Sequence, residues 1–448
     1  MKIDTVRLVN YRRYSDLKIN FHARFNVLAG INGSGKTTIL NAICETFTGF
    51  TQFLQVKSPD ILKDAALARL RPVPNGHQVR FEPQYPLKVQ MWGKVFEQLA
   101  HWGVKKESPI APAQLDEQVG GEGLKRNEFE SLSSIFPAYL RRDFSRELME
   151  GESQQTLPLF LFYRARRSWD QGQPDELHAA QERNSRFDAY GSWWDASLDA
   201  SSLQSWVIGK CLERYQKSSE SGIAFDAIDD DELALVNGAL AAVLPGYKGL
   251  RYDMKQRTLF LEKNDAFEPA SPFSNLSDGQ KSVVGLLVDM ARRLCLLNPH
   301  LGNAVIRDTP GVILIDELDM HLHPRWQRDL TRGLQQAFPS LQFIVSSHSP
   351  QVLGELQPEQ IILLDVEGTA HPAASYGLDS SKILEEVMDA PVRAEPIEEK
   401  LTQLFAALAR NELAVAREHI ATLSALAPNL PEVGRAEAII SRKEIIGR

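Results

Sequence analysis

Cysteine is scarce: Cys44, Cys211 and Cys295 are the only three in 448 residues, and they stand far apart. Without CxxC spacing they support neither a zinc knuckle nor a disulfide framework, and packed thiols are expected. Long apolar runs are missing too. Val283–Val288 and Val312–Ile315 fall far short of the roughly 20 residues that a membrane-spanning helix needs. Met1-Lys2-Ile3-Asp4-Thr5 has none of the features of a signal peptide. A soluble, cytoplasmic chain with no membrane contact is therefore expected. Positive charge is in deficit, 50 Lys and Arg against 58 Asp and Glu, a net −8. That argues against a global wrap around nucleic acid, because polyanion affinity comes mainly from phosphate neutralisation. Local patches remain at Arg12-Arg13, Arg141-Arg142 and Arg164, Arg166 and Arg167. They read either as solvated or nucleotide-facing arginines or as points of nucleic-acid contact. Internal repeats and sustained a/d heptads are absent, so neither a solenoid nor a long coiled-coil arm is expected.

What is present is an ordinary globular composition, 43% hydrophobic and 24% charged, in a chain too long for one core. Leu17, Ile19 and Phe21 alternate with Lys18 and Asn20, the period of a half-buried strand, and Phe25–Ala29 is a second strand that runs into a glycine loop. A helix from about Thr37 to Phe47 follows. Gln78–Glu82 and Leu87–Trp92, joined through Pro83 and Pro86, read as a strand pair in an antiparallel layer. Residues 126–150 look helical, Leu157–Tyr163 is an apolar run suited to a strand covered on both faces, and 168–190 looks loop-like. Leu203–Gln216 has helical spacing, and strands return at Gly249–Tyr252 and Leu259–Leu261.

The stretch Gly30-Ile31-Asn32-Gly33-Ser34-Gly35-Lys36-Thr37 satisfies G-x-x-x-x-G-K-[ST] between an apolar strand and a helix, the context that motif requires. Its glycines let successive amides surround a β-phosphate at a positive helix end, Lys36 reaches the β- and γ-phosphates, and Thr37 offers a hydroxyl to Mg²⁺. ATP or GTP is expected there, with Asn32, Gly33, Ser34, Gly35, Lys36, Thr37 and Thr38 as ligands. Gly311–Ile315 is an unbroken apolar strand ending in Asp316 and Glu317. In an open parallel sheet ligands sit at strand carboxyl ends, which puts Asp316 beside Lys36 as a magnesium holder, and Glu317 as general base. His348 follows the apolar strand Leu341–Val345 and lands at the same edge, where a neutral imidazole can bond a γ-phosphate or the attacking water. Ser277 and Gln280 form an S-x-x-Q capping box at a helix start.

LSDGQ in that position resembles the signature motif of ABC ATPases. Together with the NYRRY–INGSGKTT opening, the late Asp-Glu pair and His348, over residues 1–48 and 270–365, the chain resembles the ABC-type heads of the SMC, Rad50 and RecF group. The resemblance implies an α/β ATPase head, a P-loop fold with a mixed sheet and an antiparallel β layer, plus a helical lid insertion. It also implies a homodimer that sandwiches ATP and is open to higher oligomers, with Ser277 and Gly279 touching the partner's γ-phosphate, and Arg12 near the nucleotide. His323 stands where the D-loop would offer an aspartate; the His321, His323 pair lacks a third metal ligand, and no Q-loop glutamine is found. Phe162-Tyr163-Arg164-Ala165-Arg166-Arg167 resembles instead the YYG-x-x-R element of bacterial defence ATPases. More narrowly, LSDGQKSVVGLLVDMARR, LNPHLG, GVILIDELDMHLHPRWQ, FIVSSHSPQVL and YGLDSSKILEEVM resemble the PtuA family of Septu and retron-associated antiphage systems. That family implies an ATPase regulating a PtuB-like HNH endonuclease subunit. The alternative is a RecF-like repair ATPase that binds duplex DNA directly.

The expected organisation is an N-terminal lobe at 1–48, a β layer and insertion at 49–168, a helical lid at 169–245, a C-terminal lobe at 246–370 and a helical docking region at 371–448. In the last of these, Ile397, Leu401, Leu404, Phe405 and Leu408 form one apolar helical face after Pro396. Two further helices are expected around Leu413–Leu423 and Val433–Ile440. Such a unit either packs on its own head or binds a partner.

Overall fold

The structure is a computed structural model. It describes residues 1–54, 56–60, 62–63, 67–75, 78–116, 130–131, 134–135, 155–167, 169, 176–181, 184–265, 269–365, 368–391 and 393–446. The chain divides into two compact units, Met1–Gly377 and Leu378–Arg448.

The first unit is built on two large sheets. An antiparallel layer joins β1 (Lys2–Tyr11), β2 (Tyr14–Asn20), β6 (Leu87–Val95), β7 (Gln98–Lys106) and β8 (Gln114–Leu115) in the order β2-β1-β6-β7-β8, with β9 (Glu130–Ser131) paired parallel to β7. Its period-2 pattern is plain in β1, where Val6 and Leu8 are fully buried and Arg7 between them bonds Asp16 on β2, as alternation across a pleated strand requires. The second sheet holds β3 (Phe25–Ala29), β10 (Leu159–Tyr163), β14 (Gly311–Ile315), β15 (Leu341–Ser346), β16 (Ile361–Leu364) and β17 (Thr369–Ala370), in the order β10-β14-β15-β3-β16-β17. All its pairings are parallel except the last. Every residue of β3, β10, β14 and β15 is buried; β10 and β14 are continuous apolar runs, while the buried amides of Asn26 in β3 and Gln342 in β15 donate to the carbonyls of Phe343 and Ile3. The carboxyl ends of β10, β14, β15 and β3 therefore share one edge, and the chemistry-bearing residues leave the sheet there.

Two readings need correction. Gln78–Glu82 does not pair with Leu87–Trp92: β5 (Gln78–Pro83) pairs instead with β4 (Leu70–Asn75) in a separate two-stranded ribbon, while β6 lies between β1 and β7. Pro72 and Pro74 hide β4 from a propensity reading, and an isolated ribbon tolerates them because its outer edges need no donor. Nor is 168–190 loop throughout: among its described residues, Glu176–Gln181 is helical and Arg186–Tyr190 is a 3-10 turn capped by Ser185, with Asp188 completing a capping box. Tyr190 stacks on Phe160 of β10 with ring centroids 4.7 Å apart, and Phe47 and Trp193 close the same cluster at 5.3 and 5.5 Å from Phe160. Most of the helical pattern at 126–150, including Arg141-Arg142, lies outside the described residues.

The helices of this unit include Lys36–Thr46, Ala200–Ser221, Glu232–Val243, Asp278–Leu297 and Pro324–Ala337; β11 (Tyr247–Asp253), β12 (Thr258–Lys263) and β13 (Ser271–Pro272) form a small third sheet. All three cysteines are buried free thiols. Among the described residues no helix is long and apolar enough to cross a membrane.

The second unit carries the helices Glu395–Ala409, Leu413–Leu426 and Pro431–Ile446. Their inward faces meet in a core of their own: Leu401, Leu404 and Leu408, then Ala416, Ile420 and Leu423, then Val433, Ala436 and Ile440. Leu404 is completely buried there. Leu404→Ala in the full chain is expected to cost about 2–5 kcal/mol of this unit's stability. Hydrogen exchange should rise across 395–446 while protection in the β3 and β14 strands stays unchanged.

Candidate functional site

The loop after β3 is shaped by glycine. Gly30, Gly33 and Gly35 have φ of 146°, 79° and 102°, a region that residues with a Cβ rarely enter. Gly35 is constrained twice, since a Cβ there would also lie 2.3 Å from the Tyr14 hydroxyl oxygen. That hydroxyl donates to the Ser34 carbonyl at 2.8 Å, and Arg13 Nη1 donates to the Gly33 carbonyl at 2.8 Å. The turn between β1 and β2 thus grips the loop from outside, and burial holds Tyr14 above the usual phenol pKa, keeping it a donor. The arginine brought to the loop is Arg13. Arg12, the residue singled out from the sequence, is exposed, and its backbone N–H donates to the Leu67 carbonyl at 2.6 Å.

Lys36 is buried, and its Nζ donates to the carbonyls of Gly30 and Ile31 at 2.9 and 3.0 Å. Burial lowers its pKa, against the pull of Asp316, Glu317 and Asp319. Thr37 Oγ1 lies 3.1 and 3.0 Å from the two carboxylate oxygens of Asp316. Ser346, at the end of β15, donates its hydroxyl to Asp316 Oδ1 at 2.6 Å and accepts the Glu317 N–H at 2.7 Å. Asp316 is 4% exposed, so these hydroxyls take the place of water around its carboxylate oxygens. Hydroxyl and carboxylate oxygens converging in this way make a donor set suited to a hard divalent cation such as magnesium. Asn32, Gly33 and Thr37 are exposed, Ser34 is buried, and Thr38 is half-buried in the first helical turn.

Glu317 is exposed, with a left-handed φ of 51°, a conformation that costs an L-residue about 1–2 kcal/mol. Its N–H and carbonyl are both held, the first by Ser346 and the second by Arg167 Nη2 at 2.8 Å. Arg167 also bonds the Asp316 carbonyl at 2.8 Å and Ser282 Oγ at 3.1 Å, and burial lowers its pKa to about 10 despite three nearby carboxylates. Neither Ser346 nor Arg167 was assigned a place in the site from the sequence; the cluster at Arg164, Arg166 and Arg167 was the available signal. Its other members go elsewhere: Arg164 bonds Asn41 at 3.0 Å, and Arg166 is exposed. His348 is half-buried at the same edge, its backbone N–H donating to Asp319 Oδ1 at 3.4 Å. Desolvation and then Lys36 lower its pKa, which keeps the imidazole neutral at neutral pH.

Ser277 and Gly279 open the Asp278–Leu297 helix. The capping box is complete: Ser277 Oγ accepts from the Gln280 N–H at 3.3 Å, and Gln280 Oε1 accepts from the Ser277 N–H at 3.0 Å. Ser277 is exposed, but Gly279 is buried, and a Cβ there would lie 2.1 Å from the His321 carbonyl oxygen. His321 itself has φ 60°, so the loop after Asp316 is turned to bring that carbonyl against the helix. His323 Nδ1 accepts the Arg325 N–H at 3.3 Å and caps the next helix. No cluster of three or more metal-ligating side chains occurs among the described residues.

Fold and site together define an α/β ATPase head of the ABC type. The chain belongs to the family described as "AAA domain, putative AbiEii toxin, Type IV TA system", whose model matches residues 124–354; a second model, "AAA domain", matches 5–221. It is 26% identical to "Retron Ec83 probable ATPase" of Escherichia coli over 90% of this chain and 79% of that one. It is 37% identical to "Septu protein PtuA" of Bacillus mycoides over 22% of this chain and 13% of that one. Among solved structures, the SMC head domain from Thermotoga maritima is 13% identical, with a TM-score of 0.42 over 83% of this chain and 98% of that one. Its homologues are thus retron ATPases and Septu PtuA proteins.

The two residues at the helix start predict different losses. Gly279→Ala should lower the melting temperature of the nucleotide-free protein by several degrees, because the His321 carbonyl has to give way. Ser277→Ala should cost about 1 kcal/mol through the lost cap. An unchanged melting curve for Gly279→Ala would show that the contact with His321 is not what demands glycine.

Proposed function

We propose that this chain is an ATPase of antiphage defence that closes as a dimer around ATP and regulates a partner HNH nuclease. The observation that carries the catalytic part is the meeting of Thr37 with Asp316 at 3.0 Å, between the loop of Lys36 and the strand end of Glu317. Lys36 leaves the loop carbonyls for the β- and γ-phosphates, and the amides of Asn32, Gly33, Ser34, Gly35, Thr37 and Thr38 surround them. Thr37 and Asp316 would hold magnesium, which would supply charge neutralisation at the phosphate oxygens. Glu317 accepts the proton of the attacking water, and neutral His348 donates a hydrogen bond toward the γ-phosphate. Arg13, rather than Arg12, is the arginine we place beside the nucleotide.

In this reading Ser277 and the amide end containing Gly279 face the triphosphate of a second copy, for which the exposed Ser277 is suitably presented. The helical unit at the C-terminus docks the nuclease or another subunit. Likeness to retron and Septu ATPases supports the defence role and the PtuB-like partner. Direct clamping of duplex DNA is less well supported, because the net charge of −8 leaves phosphate contacts to local arginines.

Lys36→Ala is expected to abolish ATP binding by calorimetry. Glu317→Gln should retain binding while turnover falls about 10²–10⁴-fold; normal steady-state hydrolysis by Glu317→Gln would remove it as the base. Truncation before Glu395 should leave ATP binding intact and abolish assembly with the nuclease or with further copies, read by gel filtration. Retained assembly would assign the helical unit a purely internal role.

A further inference from the structure

We infer that Arg167 is a positioning residue that couples the Asp278–Leu297 helix to the backbone of Glu317; the inference rests on the reading of Glu317 as the general base. Three donors of one planar guanidinium reach two elements. Nη1 and Nη2 each donate at 2.8 Å to the consecutive carbonyls of Asp316 and Glu317, and Nε donates at 3.1 Å to Ser282 Oγ. Two successive carbonyls can meet one fork only if the chain turns sharply between them, and it does so through the left-handed φ of 51° at Glu317. A lysine ammonium on its flexible stem lacks the planar fork that this arrangement uses.

The contact does not stand alone. Trp169, two residues on and 4% exposed, packs so closely on the helix that a Cβ at Gly285 would lie 2.4 Å from its ring. Tyr163, four residues before Arg167, donates its hydroxyl to Asp289 Oδ2 at 2.8 Å. Ser282, Gly285 and Asp289 are spaced i, i+3, i+7, one stripe of the helix. Asp289 is fixed in turn by Arg292 at 3.0 Å and Arg293 at 2.8 Å. Tyr163, Arg167 and Trp169 therefore all contact the same helix, the one that begins at the capping residue Ser277. A helix is stiff over one turn, so a displacement at Ser277 reaches Ser282, and through Arg167 the carbonyl of Glu317. The placement of the base thereby depends on where the helix stands.

The test uses the full chain with Arg167→Lys, Ser282→Ala, the double variant, and Glu317→Gln as reference. Hydrolysis, affinity for a non-hydrolysable ATP analogue and thermal melting are measured for each. Ser282→Ala removes only a hydroxyl and guards against a fold defect in the arginine variant. Both single variants should lose about tenfold or more in kcat, with analogue affinity within about twofold and melting unchanged. The double variant should be no worse than Arg167→Lys, since both changes break one path. Unchanged kcat in either single variant, multiplying losses in the double variant, or a kcat loss matched by lost affinity or lowered melting would overturn the coupling. If Glu317→Gln itself turns over normally, the reading of the base fails instead, and the two failures are told apart.

Discussion

A carboxylate removed from water must be given hydrogen-bond donors, and Asp316, 4% exposed, is where this fold meets that demand. Thr37 comes from the helix after β3, Ser346 from the end of β15, and Asp316 itself from the end of β14, with Ser346 2.6 Å away. No pair of neighbouring residues in the chain could make this arrangement. It needs β14, β15 and β3 side by side and parallel, so that their carboxyl ends deliver the three groups to one point. The burial of every residue in those strands is thus what holds the polar groups in place, and the apolar core and the site are two consequences of one strand order.

Charge is distributed around that point with little waste. Lys36, Arg167 and His348 all have their protonated forms disfavoured by burial, but the carboxylates of Asp316, Glu317 and Asp319 pull in the opposite direction. The two bases with donors to spare use them on backbone carbonyls: Lys36 on Gly30 and Ile31, Arg167 on Asp316 and Glu317. Hydrogen bonds from a cation to a carbonyl are stronger than neutral ones, so each base stiffens a loop. In the function we propose, Lys36 exchanges its partners for phosphate oxygens, whereas Arg167 keeps the carbonyls of Asp316 and Glu317.

Legible in the sequence were the elements whose signal is local. The glycine loop, the apolar strand ending in Asp316 and Glu317, the capping box at Ser277 and the three helices after Pro396 follow from spacing alone, and the structure contains each of them. Gln78–Glu82 was given Leu87–Trp92 as its partner because no strand was read at Leu70–Asn75, where Pro72 and Pro74 weaken the signal. Arg12 was singled out where the structure brings Arg13 to the loop, because which of two adjacent side chains turns toward Gly33 depends on the geometry of the β1–β2 turn. Arg12 has φ 49°, and that kink sends the next side chain to the loop. Ser346 and Arg167 act through partners about 30 and 150 residues away in sequence, and such pairings exist only after the sheet has assembled.

The same contacts bear on how two copies could communicate. The start of the signature helix is attached to the loop after Asp316 twice, through Gly279 against the His321 carbonyl and through Ser282, Arg167 and the carbonyls of Asp316 and Glu317. A helix held at two points, separated by about one turn, cannot shift without taking that loop with it. If the exposed Ser277 of one copy engages the triphosphate of another, the force on its helix end is delivered to its own carboxylates, not dissipated in a flexible linker. Each site would then sense the occupancy of the other through backbone that is already strained at Glu317 and His321. A small movement is enough, because a base misplaced by about 1 Å loses much of its effect.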